Sequence, residues 1–81
     1  MIEAALAAAS GKDREILHAM AIDDGPSAAG DIAQRTGSRP GLVAKYRTRL
    51  LAAGLIELTG HGKTKFAIPG LREYLRKNQP A

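Results

Sequence analysis

The chain has 81 residues, a net charge of +4, 44% apolar residues and no cysteine. That length holds one small domain, and that apolar content excludes disorder throughout. The missing cysteines exclude a disulfide framework and any thiolate-bound zinc, and they fit a cytoplasmic location.

Met1–Ala9 is alanine-rich and reads either as a frayed helix or as the tail of a helix from a preceding domain. Its apolar run is far below the ~20 residues of a membrane span, and it lacks the cationic leader of a signal peptide. Ser10 followed by Asp13 has the spacing of a capping box and predicts the start of the first core helix. Ile16, Leu17, Met20 and Ala21 give that helix one apolar face. Asp23-Asp24-Gly25-Pro26 ends it, because proline lacks an N–H and glycine loses the most entropy on ordering.

Ser27 is expected to cap a short second helix through about Arg35, with Ile32 and Ala33 facing inward. Gly37 should supply a sharp turn at positive φ. Ser38 is expected to cap a third helix running to about Ala53, with Pro40 in its first turn, where a missing N–H costs nothing. Val43, Tyr46, Leu50 and Leu51 form its inward stripe, and Gly54 closes it. Leu55–Leu58 and Thr64–Ile68 are rich in β-formers and flank Thr59-Gly60-His61-Gly62-Lys63, a glycine-bearing hairpin turn. Phe66 and Ile68 alternate with Lys65 and Ala67, so one hairpin face is buried. Pro69-Gly70 breaks the strand, Leu71–Lys77 forms a last helix, and Asn78–Ala81 is expected to be disordered.

This order is the topology of a winged helix-turn-helix: mostly α with a small β-hairpin, a three-helix core, a two-stranded wing and a C-terminal helix. The predicted division is a tail or linker over 1–9, the domain over 10–77 and a disordered tail over 78–81.

Charge is segregated along the chain. Residues 1–34 hold two cations against six acids, and residues 35–66 hold seven cations against one acid. A helix that stays in water normally mixes signs, yet the third helix carries Arg39, Lys45, Arg47 and Arg49 and no acid. The hairpin adds Lys63 and Lys65 against Glu57. A cationic helix beside a cationic ribbon suits a partner with a groove and a charged rim, as double-stranded DNA has. The candidate contacts are Ser38, Arg39, Lys45, Tyr46 and Arg49 on the helix, and His61, Lys63 and Lys65 on the wing. An arginine near the helix start can bond guanine bidentately, and wing lysines orient the domain on phosphates. Lys45 and Arg49 are like charges one turn apart, a cost that a nearby anion removes. Tyr46 is more often a core residue than a contact, and Arg47 reads as a packed stem along the surface. A solvated basic flank with no partner is the plainer alternative.

Other chemistry is unsupported. Gly62-Lys63-Thr64 is no phosphate-binding loop, because Glu57 stands where that loop needs glycine and a strand follows where it needs a helix. His18 and His61 are the only histidines, far apart and without a shared carboxylate cluster, so no metal is expected. His18 reads as a surface residue, and Asp23-Asp24 reads as a turn. No nucleophile and base are paired, so neither an enzyme nor a cofactor is expected.

The segments DREILHAMA, GDIAQRTG, YRTRLLAAGLI and FAIPGLREYLR, in that order, resemble the winged-helix domain at the C-terminal end of a group of prokaryotic AAA-type ATPases. The resemblance covers about Lys12 to Arg76. Gly30-Asp31-Ile32-Ala33 and Gly54-Leu55-Ile56 are common to many winged-helix regulators, MarR-like ones included, and FAIPGLREYLR is the more particular match. The likeness implies a parent that hydrolyses ATP through another domain. It implies a partner that is either duplex DNA or the nucleotide-binding domain of the parent chain, and the short apolar runs lead to no expectation of a membrane partner. A stand-alone dimeric regulator would need a long dimerisation helix, for which Met1–Ala9 is too short.

Overall fold

The computed structural model describes residues 2–60 and 62–78. Among these the order is α1 (Ile2–Leu6), α2 (Gly11–Met20), α3 (Ala29–Thr36), α4 (Pro40–Ala52), β1 (Ile56–Leu58), β2 (Thr64–Phe66) and α5 (Leu71–Lys77).

α2 starts at the predicted capping box. The Asp13 N–H donates to the Ser10 hydroxyl at 3.1 Å, and the Ser10 N–H donates to the Asp13 carboxylate at 2.9 Å. Two N–H groups that the helix cannot use internally are thereby satisfied. α3 ends at Gly37, whose φ of 65° is cheap only for glycine. The Ser38 N–H then folds back onto the Ala33 carbonyl at 2.9 Å, and α4 departs from this turn.

The two serines expected to cap α3 and α4 are engaged elsewhere. α3 follows Ala28 and α4 follows Arg39, each without a side-chain cap. Ser27 and Ser38 sit one position too early for their hydroxyls to reach the free N–H groups of those helices. Ser27 instead forms a bridge to Thr64, with N–H···O distances of 2.7 and 2.9 Å in the two directions. Ser38 bonds through its hydroxyl to the Lys12 ammonium and to the Thr36 hydroxyl.

β1 and β2 pair antiparallel, with Ile56 opposite Phe66, Glu57 opposite Lys65 and Leu58 opposite Thr64. Thr64 pairs with both Leu58 and Ser27, so β2 lies between β1 and a one-residue third strand. That bridge ties the hairpin to the α2–α3 junction. The result is the winged helix-turn-helix architecture predicted from the sequence.

The core gathers Ile16, Leu17 and Met20 of α2, Ile32 of α3, Val43 and Leu50 of α4, and Leu71 and Leu75 of α5. Leu6 joins it, with Ile2 and Ala5 packed alongside, so core residues lie on both sides of the boundary expected at Ser10. Arg14 secures α1 by donating from Nη2 to the Leu6 carbonyl at 3.0 Å. Asn78 caps α5, its backbone and side-chain N–H groups both donating to the Tyr74 carbonyl. The remainder of the tail expected over 78–81 lies outside the described residues.

Candidate nucleic-acid interface

α4 buries Val43 and Leu50, with Tyr46 and Leu51 packed at the margin of the core. The helical period puts Gly41, Ala44, Lys45, Thr48 and Ala52 on the opposite side, and all five are exposed. Arg39 is exposed at the helix start. Arg47 is half-buried, as a packed stem requires.

The cations divide into those with an anion inside the molecule and those without. Arg49 crosses to the buried carboxylate of Asp13, from Nη2 at 3.2 Å and from Nε at 3.4 Å. Its guanidinium also lies 5.5 Å from the centre of the Tyr46 ring. Burial pushes the Asp13 carboxyl up, but hydrogen bonds from Arg49 and Ser10 outweigh it and hold its pKa below 3.8. The anion that relieves the Lys45–Arg49 repulsion is therefore in the chain itself. Lys65 likewise meets its cross-strand neighbour Glu57 at 3.2 Å.

Of the residues the sequence singles out, Arg39, Lys45 and Lys63 are exposed cations with no ion pair among the described residues. Arg47 shares that lack of a partner. Tyr46 is half-buried, Ser38 is held by Lys12 and Thr36, and His61 lies outside the described residues.

Asp23, read from the sequence only as a turn residue, anchors the base of the wing. Its carboxylate accepts a bidentate pair from Arg35 at 2.8 and 3.0 Å and the Ser27 hydroxyl at 2.8 Å. The Arg35 hydrogen bond, then that of Ser27, brings its pKa down to about 2, with the nearby Lys63 charge adding to the effect without forming an ion pair. The signal was thin, because both partners lie beyond the local turn.

His18 is not the surface residue expected. It is half-buried in a groove with Glu3, Leu6, Arg14 and Tyr74, and its Nδ1 is buried without a hydrogen-bond partner among the described residues. Burial, reinforced by the Arg14 charge, lowers its pKa below 6.5. Among the described residues no three His, Asp or Glu side chains gather to hold a metal ion, and no helix is long and apolar enough to cross a membrane.

A family model described as "Domain of unknown function (DUF8462)" matches residues 1–75. No curated protein and no solved structure is detectably similar to the chain.

Proposed function

We propose that this chain, which belongs to the DUF8462 family, is a non-enzymatic winged-helix module that binds double-stranded DNA. The observation that carries the reading is the set of exposed cations with no ion pair among the described residues: Arg39 at the cap of α4, Lys45 on α4, and Lys63 on the wing. α4 enters the major groove, and the hairpin lies along the flanking backbone. No acid lies between Arg39 and Ala53 to repel phosphate. The Asp13–Arg49 pair links α2 to α4, and the Ser27–Thr64 bridge ties the wing to the α2–α3 junction. The double variant Arg39→Ala/Lys45→Ala should lose duplex binding while its thermal unfolding stays that of the wild type, since neither side chain has an ion-pair partner among the described residues. Equal binding by the two proteins would end this reading.

The likeness of residues 12–76 to the C-terminal winged helices of prokaryotic AAA-type ATPases supports a finer proposal. The module then sits beside a nucleotide-binding domain in a cytoplasmic chain, and a phosphate-binding loop upstream in the parent sequence is the check. A second reading, docking on that domain or on another protein, is favoured by exposed apolar side chains on the same two elements. Leu42 on α4 and Leu58 on β1 are 38% and 56% exposed. Leu42→Ser and Leu58→Ser would then abolish the docking and leave DNA affinity intact.

A further inference from the structure

Building on the DNA reading, we infer that α4 binds duplex DNA with little discrimination among base sequences. Direct readout needs particular side chains. Adenine is read by the paired donor and acceptor of Asn or Gln, and the cytosine amino group by Asp or Glu. Between Arg39 and Ala53 the chain has none of these, and no serine.

The exposed face of α4 is equally sparse. Gly41 presents no side chain, Ala44 and Ala52 only a methyl group, and Leu42, 38% exposed, an apolar side chain; these can touch a thymine methyl but make no hydrogen bond to a base edge. Thr48 commits its one hydroxyl proton to the Ala44 carbonyl at 3.1 Å. Arg49, a side chain able to read guanine, is held by Asp13. Lys45 remains at the centre of the face as a point charge without a fixed fork. Arg39, at the cap of α4, is an exposed arginine with no ion pair among the described residues. A face of small side chains lets the helix backbone approach the groove floor closely, while the charges that remain reach the phosphate walls. Such a surface recognises the width and charge of B-form DNA.

The test is selection of the 81-residue chain against a pool of duplexes with a randomised centre, followed by anisotropy titration of individual duplexes at one salt concentration. The expected result is a bound pool with the composition of the input. Isolated duplexes should differ in Kd by less than about tenfold, below the discrimination of two good bidentate contacts. Lys45→Ala should weaken every duplex by the same factor, as loss of a phosphate contact does. An enriched motif bound more than about tenfold tighter than its scrambled version would overturn the inference and leave the DNA reading standing. A Lys45→Ala loss confined to duplexes with guanine at one position would do the same. Failure to bind any duplex at low salt would overturn both.

Discussion

Replacing Asp23 with alanine removes the carboxylate that fastens the wing to the helical core. One of its oxygens accepts both the Ser27 hydroxyl and Arg35 Nη1 at 2.8 Å, and the other accepts Arg35 Nη2 at 3.0 Å. Ser27 is buried, and its backbone makes both bridge bonds to Thr64. Its hydroxyl would be left with the longer contact to the Met20 carbonyl, 3.3 Å. With 27% of its side chain exposed, Asp23 is only partly screened by water. Its pKa falls from 3.8 to about 2, which at about 1.4 kcal/mol per tenfold change in proton affinity amounts to about 2 kcal/mol of pH-linked stability. Asp23→Ala should therefore lose about 2 kcal/mol at neutral pH, a fall in Tm of about 8–16 °C for a domain of this size. The assay is thermal unfolding followed by circular dichroism across a pH series. The folded pKa lies below the unfolded one, so the stabilisation is complete above about pH 4 and drains away as pH falls through about 2. The gap between wild type and variant should narrow over that window. Asp24→Ala is the control: its side chain is 93% exposed in its pair with Arg76, and less than about 0.5 kcal/mol should be lost. The reasoning fails if the two variants unfold together at neutral pH, or if the gap persists undiminished in acid.

Arg49→Ala leaves the buried Asp13 carboxylate with the Ser10 N–H as its remaining donor and should cost about 1–2 kcal/mol in denaturant unfolding, while duplex affinity changes less than about twofold. Lys45→Ala should do the reverse, and similar behaviour of the two variants would erase the distinction between paired and unpaired cations. The four cations of the α4 segment and the wing with no ion pair among the described residues, Arg39, Lys45, Arg47 and Lys63, give log Kobs against log salt a slope of about −3.6 if each meets a phosphate, at about 0.9 per phosphate. A slope nearer about −5 would mean that Arg49 and Lys65 leave their acids to meet DNA. His18 has a folded pKa below 6.5, so the unfolded chain binds its proton first and stability should decline as pH drops below 6.5. His18→Gln should flatten that part of the stability profile, and an unchanged profile would show that His18 is not responsible.

What the sequence could disclose depended on how local the cause was. Ser10 and Asp13 satisfy each other within three positions, and the capping box was legible in full. Gly37 was legible as the turn because a positive φ excludes most other residues. Ser27 and Ser38 looked like caps because polar residues before a helix serve equally well as caps or as partners of something distant. The distant partners, Thr64 for Ser27 and Lys12 for Ser38, appear only once the chain is folded. The burial of His18 depends on α1, a five-residue helix whose docking the alanine-rich start does not announce. Arg49 and Asp13 are separated by 36 positions, and no periodicity links them. The sequence offers Lys65 as a wing contact, and the register that sets Glu57 opposite it comes from the folded hairpin.

The central proposition is tested most directly by titrating isotope-labelled chain with a mixed-sequence duplex at moderate salt and following its backbone amide resonances. DNA binding through α4 and the wing predicts shifts concentrated on Arg39, Lys45, Arg47 and their neighbours and on Gly62–Lys65, with α1 and α5 silent. Resonances of α4 and the hairpin that stay in place, or shifts confined to Ile2–Leu6 and Leu71–Lys77, would contradict it.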